Sequence, residues 1–360
     1  MEVVVVKSLG ILTGGGDAPG LNAVIRAVVK TALRVYSMEV FGIEDGFQGL
    51  LEPSKLFRMS TADVRGLLPR GGTILGTKNK GDFVLKREAG RVIRPEAVFE
   101  KAIKTLHEQG IDCLIAIGGE GTQTIACEFH RLGVPIVGVP KTIDNDLQGT
   151  QTFGFGTAVD IATEAIDRLH TTAESHDRVI VLEVMGRHTG WIALHAGVAG
   201  GADVILIPEL PFSMDKVTRQ IIERERQGRR FSIVVVAEGA FEKGGSPRYN
   251  SSGQLSGIGY FVAKQIEAST GKDTRLVVLG HLQRGGSPNS YDRILATALG
   301  CEAVHMVARG EFGKIVAYDG VRLSAVDMYE ATVGLKLVPV DGFLVKTARN
   351  LGISFASDDD

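Results

Sequence analysis

Short apolar runs that stop at a glycine-rich or polar tip recur along this chain, and most are followed by a stretch with helical spacing. Clear examples are 111–117, 134–139 and 179–184. Runs of this length are typical of buried strands, and strands that alternate with helices favour a parallel sheet with right-handed crossovers. The units are too numerous for one small sheet. We therefore predict an α/β fold of two parallel-sheet domains with the active site in the cleft between them.

The composition argues against several classes of protein. A formal net charge of -2 over 360 residues gives no electrostatic reason to expect nucleic acid or an anionic membrane as a partner. The three cysteines show no CxxC spacing, which favours buried thiols in a reducing compartment. No apolar run approaches the length of a membrane span, and the N-terminus lacks the flanks of a signal peptide. We expect a cytoplasmic protein without a membrane partner.

A dense polar heptad, 140–146 (Pro-Lys-Thr-Ile-Asp-Asn-Asp), directly follows the apolar run 134–139. In open α/β sheets, ligands bind outside the carboxyl ends of the strands. Asp144 and Asp146 repel each other at neutral pH, so a metal, a cation or a shared proton is expected among them. The heptad suits deprotonation of a hydroxyl near a metal-bound phosphate. Taken alone, however, a solvated Asp-Asn turn would be the commoner explanation.

Two glycine-rich tips, 14–20 and 118–122, each precede a helix-like stretch. Glycines at such turns let backbone N–H groups approach a phosphate at the helix N-terminus. The first tip fails the dinucleotide fingerprint because Pro19 stands where the third glycine belongs, which argues against an NAD-dependent dehydrogenase. The second tip carries Glu120, a carboxylate that suits Mg²⁺ but that a helix N-terminus also favours without any metal.

Two further loops are both basic and rich in glycine. The loop 70–81 resembles a P-loop only superficially, because Thr77-Lys78 reverses the required order of lysine and hydroxyl residue. It could clamp phosphates, although an exposed flexible loop would look the same. The loop 280–288 places His281 beside Arg284, which makes this pair a candidate for binding an anion.

Five of these tips, taken in chain order, together resemble the motifs of the 6-phosphofructokinase family. They are 15–20, 118–122, 140–146, 185–187 and 280–286, so that the match runs from the first strand to about Asp292. The resemblance implies two Rossmann-like domains. The larger, nucleotide-binding domain would comprise 1–155 plus about 283–335, and the smaller, sugar-phosphate-binding domain would comprise 156–282 plus about 336–360.

The resemblance also implies a reaction and a role for each matched residue. The reaction is transfer of the terminal phosphoryl group of MgATP to the 1-hydroxyl of fructose 6-phosphate. Asp144 matches the general base, and Thr142 and Asp146 match neighbours that orient sugar and metal. Glu120 matches the Mg²⁺ ligand, where most members have Asp. The positions matched to donor binding are Gly16, Lys80, Gly119, Glu120, Gly121 and Thr122. Those matched to the sugar phosphate are Met185, Gly186, Arg187, Glu238, His281 and Arg284.

Two arginines imply an assembly of several copies. Arg178 and Arg275 match residues that the family sends across an interface to the 6-phosphate of a neighbouring subunit, which implies a homotetramer. Arg26 and Lys30 stand at positions that the family uses in an effector site, so allosteric control is expected, although a solvated basic helix face would show the same residues. Many members place a bridging arginine after Gly76, where this chain offers Lys78, Asn79 and Lys80; we assign Lys80 to that role.

Several alternatives remain open on the sequence alone. In the family, Asp at the position of Gly121 together with Lys at the position of Lys141 accompanies pyrophosphate use, and this chain combines Gly121 with Lys141. ATP is the expected donor, and pyrophosphate or ADP is the alternative. A non-catalytic effector-binding paralogue would be expected to have lost Asp144 or Glu120. A lipid or NAD kinase would not explain the motif 185–187.

Overall fold

The computed structural model describes residues 6–79, 81–88, 91–251, 253 and 255–358, without the side chains of 86–88 and 91–92. The chain divides into two compact units. Unit 1 comprises Met1–Gly154 and Arg284–Leu335, and unit 2 comprises Phe155–Gln283 and Lys336–Asp360. Each unit is built on a mainly parallel sheet with helices, so the predicted α/β class with two parallel-sheet domains is confirmed.

The strands and helices are numbered in chain order through both units. The strands are β1 (Ser8–Thr13), β2 (Glu39–Ile43), β3 (Leu56–Arg58), β4 (Lys86–Glu88), β5 (Arg91–Ile93), β6 (Cys113–Gly118), β7 (Ile136–Pro140), β8 (Val179–Val184), β9 (Val204–Leu206), β10 (Ser232–Ala237), β11 (Thr274–Val278), β12 (Lys314–Tyr318) and β13 (Leu323–Asp327). The helices are α1 (Leu21–Val35), α2 (Glu96–Glu108), α3 (Glu120–Arg131), α4 (Phe155–His176), α5 (Trp191–Ala199), α6 (Met214–Arg226), α7 (Ile258–Thr270), α8 (Ser290–Arg309), α9 (Met328–Val333) and α10 (Phe343–Asn350). No helix of the described chain has the length and hydropathy needed to cross a membrane.

Unit 1 contains a seven-stranded sheet in the order β13-β12-β7-β6-β1-β2-β3. The five inner strands run parallel, and the outer strands β13 and β3 are antiparallel to their neighbours. Strands β1, β6 and β7 are buried along their whole length, which explains why they appear in the sequence as continuous apolar runs. Because these three neighbours are parallel, their carboxyl ends lie at one edge of the sheet.

Helices cover both faces of the unit 1 sheet. On one face, α1 packs against α8 through residues spaced for one helical side, such as Leu21, Val24 and Val28. On the other face, α2 and α3 pack over an aromatic cluster that contains Phe83, Phe99 and Phe129. Each fully buried side chain of this kind contributes about 1.5–3 kcal/mol relative to an exposed one. These two cores fix the position of the strands whose carboxyl ends carry the predicted motifs.

Unit 2 contains a four-stranded parallel sheet in the order β11-β8-β10-β9. Helices α6 and α7 pack on one face through Val217, Ile221, Val262 and Ile266, and α4 and α5 contact the sheet as well. The C-terminal segment belongs to this unit, where Ser354 forms a bridge to Val204 at the edge strand β9. This topology brings the carboxyl ends of β8, β10 and β11 to one edge.

Candidate active site

The carboxyl ends of β1, β6 and β7 bring three predicted loops side by side in unit 1. The Gly14 N–H donates to the Ile117 carbonyl at 2.9 Å, and the Lys141 N–H donates to the Gly118 carbonyl at 3.0 Å. A Cβ placed on Gly119 would lie 3.3 Å from the Lys141 carbonyl oxygen. The loops 14–20, 118–122 and 140–146 therefore form one continuous surface, which we call the tip surface.

Two glycines of the tip surface, Gly14 and Gly118, leave room for the side chain of Thr122. A Cβ on Gly14 would lie 2.7 Å from the Thr122 Oγ1, and a Cβ on Gly118 would lie 2.4 Å from the same atom. Thr122 is buried in the first turn of α3, and its Oγ1 has no hydrogen-bond partner in the described part of the chain. The N-terminus of a twelve-residue helix favours an anion. A buried hydroxyl without a partner at this point suits a phosphate oxygen.

Lys141 and Arg284 add positive charge to the same surface. The Lys141 ammonium donates to the Gly16 carbonyl, and the Arg284 Nη1 donates to the Asp17 carbonyl at 3.2 Å. A Cβ on Gly16 would lie 2.7 Å from the Arg284 Nη1, so the guanidinium takes the space that a side chain would need. Burial, and to a smaller extent the charge of Arg284, lower the pKa of Lys141 to about 7, although Asp17, Asp144 and Asp146 oppose the shift.

The lowered pKa of Lys141 predicts a pH-dependent contribution to stability. In the folded chain it titrates at about 7, compared with 10.5 for an ordinary lysine. At pH values between these two pKa values, Lys141 binds a proton in the unfolded chain but not in the folded chain. The free energy of unfolding therefore rises with pH in this range. Thermal unfolding of the ligand-free wild type and Lys141→Met, compared across this window, should show the wild type gaining stability relative to the variant. Parallel curves would contradict the assignment.

The base loop, residues 141–146, alternates between buried and accessible side chains. Lys141, Ile143 and Asn145 are buried. The side chains between them, Thr142, Asp144 and Asp146, are only half-buried. The Asp144 N–H donates to the Thr142 Oγ1 at 3.1 Å, which orders the turn between these two residues. The three side chains matched to the substrate thus alternate regularly with side chains that anchor the loop.

The residues present fit a magnesium ion that is held largely by phosphate oxygens. No group of three or more His, Cys, Asp or Glu side chains within the described ranges could form a metal cage by itself. Magnesium is commonly bound through one or two carboxylates together with substrate phosphates. Glu120 is exposed at the start of α3, next to Gly119 and Gly121, and Asp144 and Asp146 stand on the adjoining loop. Oxygen donors of this kind suit such a partly shared ion.

The loop that follows Gly76 lies beside the tip surface. The Thr77 Oγ1 donates to the Gly15 carbonyl at 2.6 Å, and the Gly15 N–H donates to the Lys78 carbonyl at 3.0 Å. The Lys78 side chain is exposed and lies 4.0 Å from Asp45. Lys80, to which the bridging role was assigned, lies outside the described residues. The contacts of the Thr77 hydroxyl and the Lys78 carbonyl with Gly15 place the start of this basic loop at the β1 tip.

In unit 2, the predicted sugar-phosphate residues follow strands β8, β10 and β11. Gly186 has a φ of +144°, and a Cβ there would lie 2.6 Å from the Thr189 carbonyl oxygen. The Gly239 N–H donates to the Gly186 carbonyl at 3.0 Å, which joins the loop of Met185–Arg187 to the turn that carries Glu238. Arg187 is exposed, and so is His281, which stands at the carboxyl end of β11. These side chains share one edge of the unit 2 sheet.

Arg178 and Arg275 lie at the opposite end of that sheet, where strands β8 and β11 begin. Arg178 precedes β8 and Arg275 is near the start of β11, so the six residues of β8, or roughly 20 Å of strand, separate Arg178 from the loop that carries Arg187. Both guanidinium groups bind the carboxylate of Asp273. The structure therefore does not bring these two arginines together with Arg187 within one subunit.

Several contacts of the site gave no signal in the sequence. Asp273 lies outside every predicted motif, yet it pairs with both arginines. Thr152 lies beyond the polar heptad, yet its Oγ1 donates to the Thr142 carbonyl at 2.7 Å. Arg284 was assigned to the sugar phosphate, and its guanidinium also lies against the glycine loop of β1. Each of these contacts joins segments that are distant in sequence or separated by a loop.

Comparison with known proteins gives consistent results. The sequence model described as Phosphofructokinase matches residues 8–307. The chain is 57% identical over 353 residues to an ATP-dependent 6-phosphofructokinase of Chloroflexus aurantiacus, with 98% of each chain covered. It is 50% identical over 343 residues to a pyrophosphate–fructose 6-phosphate 1-phosphotransferase of Amycolatopsis methanolica, with 93% of this chain and 97% of the relative covered.

A solved structure agrees with these sequence matches. The crystal structure of Pichia pastoris phosphofructokinase in the T-state superposes with a TM-score of 0.81 at 31% identity. The match covers 98% of this chain and 37% of the yeast chain, so the chain spans little more than a third of that protein.

Proposed function

We propose that this chain, which belongs to the phosphofructokinase family, transfers the terminal phosphoryl group of MgATP to the 1-hydroxyl of fructose 6-phosphate in glycolysis. The products are fructose 1,6-bisphosphate and ADP. The observation that carries the proposal is the tip surface, where the half-buried Asp144 stands on the loop next to the start of α3, which suits a phosphate. The bacterial relatives at 57% identity bear the name of the ATP-dependent enzyme, which supports ATP as the donor.

Unit 1 would act as the nucleotide-binding domain. Backbone N–H groups at the start of α3 and around Gly16, together with the Thr122 hydroxyl, would bind the donor phosphates. Glu120 would hold Mg²⁺ jointly with those phosphates, and the bound ion would neutralise part of their negative charge. Asp144 would accept the proton of the attacking sugar hydroxyl, with Thr142 and Asp146 orienting the sugar. Phosphoryl transfer depends mainly on such positioning and charge neutralisation.

Unit 2 would act as the sugar-phosphate-binding domain. Arg187 and His281 are exposed at one sheet edge, and the tight turn at Gly186 holds the loop that presents Met185 and Arg187. Arginine suits a phosphate because its planar guanidinium donates two parallel hydrogen bonds. Glu238 would bind sugar hydroxyls from the adjoining turn, and Arg284 would contribute a further positive charge.

A homotetramer would explain the location of two arginines. Arg178 and Arg275 lie at the edge of the unit 2 sheet that is remote from Arg187 and share Asp273 as a partner. In a homotetramer they could serve the 6-phosphate of a neighbouring subunit. The unpaired cysteines of the described chain suit a reducing compartment, and we propose that the enzyme is cytoplasmic.

Pyrophosphate is the second candidate donor, and two observations favour it. Lys141 is buried beside the phosphate loop, and a relative at 50% identity bears the name of a pyrophosphate-dependent enzyme. Gly121 favours ATP, because apart from its chain neighbours and the backbone of its own helix no atom of the described residues lies within 4 Å of the position that its Cβ would take. A nucleotide needs such room near its α-phosphate.

A coupled assay on the purified protein tests the proposed function. Fructose 6-phosphate and Mg²⁺ are supplied with ATP, ADP or pyrophosphate in turn, and fructose 1,6-bisphosphate formation is followed. We expect the highest kcat/KM with ATP. A higher kcat/KM with pyrophosphate would identify pyrophosphate as the donor. No turnover with any of the three donors would contradict the proposed activity and favour an effector-binding paralogue.

A basic cavity in unit 1 supports allosteric control. It has a volume of about 240 Å³ and is lined by Arg26, Lys30 and Arg34 on one face of α1, with Arg65 opposite. The charges of Arg26 and Arg34, with some desolvation, lower the pKa of Lys30, as expected where like charges crowd together. An anionic effector such as ADP or phosphoenolpyruvate would relieve this repulsion, and we propose that such a molecule binds here.

Removing one of these cations should weaken effector binding without changing basal catalysis. Arg26→Ala is expected to raise the effector concentration for half-maximal response by about 10-fold or more, the loss typical of a charge-assisted hydrogen bond. Lys104→Ala, which removes an exposed lysine of α2, is the matched control and should respond like the wild type. Titration of activity with ADP and with phosphoenolpyruvate measures the effect. An unchanged response in Arg26→Ala would show that the effector does not bind in this cavity.

A further inference from the structure

We infer that Asn145 and Thr152 are positioning residues for Asp144, and that the segment 150–153 acts as a clamp for the base loop. Neither residue carries a role in the reaction described above. The inference rests on the proposed function, because it needs Asp144 to be the base. Its evidence is a set of hydrogen bonds that fix the loop on both sides of this aspartate.

The first anchor is Asn145, which directly follows Asp144. Its φ is +52°, in the left-handed region that asparagine tolerates better than most residues. Its side chain is buried, and the Oδ1 accepts the Thr152 N–H at 3.2 Å. A residue held in this region has a conformational cost that its surroundings must offset. The buried hydrogen bond between the Asn145 side chain and the Thr152 N–H supplies that compensation and fixes the turn that holds Asp144.

The second anchor lies on the other side of Asp144. The Thr152 Oγ1 donates to the Thr142 carbonyl at 2.7 Å, and Thr152 is only 2% exposed. One residue, Thr152, therefore binds the base loop both before and after the aspartate, through its hydroxyl and its backbone N–H. The parallel bridge between Lys141 and Phe153 continues the same contact.

The clamp is itself anchored to the rigid core of unit 1. Phe153 is fully buried in the core beneath α1. A Cβ on Gly20 would lie 2.7 Å from the Phe153 Cδ2, so this ring also packs against the N-terminus of α1. The base loop is thereby fixed relative to the helix that follows the first phosphate tip. The same part of the unit 1 core therefore fixes both Asp144 and the loop proposed to bind the donor.

The clamp affects catalysis because phosphoryl transfer depends on the alignment of the reacting groups. A displacement of a reacting group by about 1 Å can lower the rate by about 10²-fold. Asn145 and Thr152 are buried, whereas Asp144 is only half-buried, so the clamp residues act through Asp144 instead of contacting substrate. Loosening the clamp should therefore lower kcat and leave the KM values for ATP and fructose 6-phosphate nearly unchanged.

The test compares Thr152→Val, Thr152→Ser and Asn145→Gly in the full-length protein. Valine keeps the shape of threonine and removes the hydroxyl, serine keeps the hydroxyl, and glycine keeps the backbone conformation while removing the acceptor. We expect kcat to fall about 10–100-fold in Thr152→Val and in Asn145→Gly, with rescue in Thr152→Ser. The matched control is Thr105→Val, which removes another buried hydroxyl of unit 1 that donates to a backbone carbonyl.

The outcomes separate this inference from the proposed function. Wild-type kcat in both Thr152→Val and Asn145→Gly, beside an inactive Asp144→Ser, would overturn the inference alone. A rise in KM with unchanged kcat would also overturn it, because it would indicate contact with substrate. An Asp144→Ser variant as active as the wild type would refute Asp144 as the base and the inference with it. Equal losses in Thr152→Val and Thr105→Val would show a general stability effect and count against the clamp.

Discussion

Replacing Asp144 by serine is expected to lower kcat by about 10²–10⁴-fold, the range that a positioned general base contributes. Asp144 is half-buried on the base loop, and its backbone N–H donates to the Thr142 hydroxyl. Serine keeps a polar side chain but cannot take the proton of the sugar hydroxyl at neutral pH. Fructose 6-phosphate should still bind, because Asp144 is not among the residues proposed to hold its phosphate, most of which belong to unit 2. Steady-state kinetics with ATP measures the loss.

Binding to the inactive variant can be followed through the single tryptophan of the chain. Trp191 begins α5, four residues after Arg187, and its indole N–H donates to the Lys336 carbonyl at 2.7 Å. A titration of its fluorescence with fructose 6-phosphate should give similar Kd values for the wild type and Asp144→Ser. Asp167→Ser, which removes an exposed carboxylate of α4, serves as the control and should keep full activity. Near-normal turnover in Asp144→Ser would remove this residue as the base.

Replacing Gly121 by aspartate is expected to change the preferred donor. The variant should fold, since among the described residues only its chain neighbours and the backbone of its own helix approach the Cβ position within 4 Å, and the φ of Gly121 does not lie in the left-handed region. The new carboxylate would face the α-phosphate of a nucleotide. Two like charges about 4 Å apart repel by about 4 kcal/mol at the dielectric typical of a protein surface, so kcat/KM for ATP should fall by about 10²-fold or more. Pyrophosphate, which lacks the nucleoside, should lose much less.

An isosteric control separates charge from size. Gly121→Asn places a neutral side chain of the same shape at the start of α3. If repulsion dominates, Gly121→Asn should keep most of the ATP activity that Gly121→Asp loses. Equal ATP kinetics in the wild type and Gly121→Asp would contradict the argument that this glycine admits the nucleotide. Equal losses in both variants would assign the effect to size instead of charge.

The parts of the site that the sequence predicted are those that depend on local pattern and on the topology of parallel strands. A buried run that ends in a glycine-rich tip specifies a strand, a turn and a helix N-terminus, as at 113–122. Because neighbouring parallel strands end at the same edge, the tips of β1, β6 and β7 had to meet once these strands were adjacent. The predicted fold class followed from the same repetition.

The parts that the sequence did not predict depend on contacts between segments that no pattern relates. Lys141 was interpreted as a sign of donor preference, and its burial became visible only where the β1 loop covers it. The role of Asn145 depends on where the chain returns after a loop of several residues, which fixes the position of the Thr152 N–H. Asp273 pairs with Arg178 only because β11 and β8 are neighbours.

The central claim is that Asp144 faces the reacting hydroxyl beside the donor phosphates. A crystal structure of the wild-type protein with fructose 6-phosphate and MgADP tests this claim most directly. We predict that the Asp144 carboxylate lies about 2.6–3.2 Å from the 1-hydroxyl oxygen, the range for a general base, with the β-phosphate of ADP at the start of α3. A bound sugar whose 1-hydroxyl points away from Asp144, with another carboxylate in contact, would contradict the account.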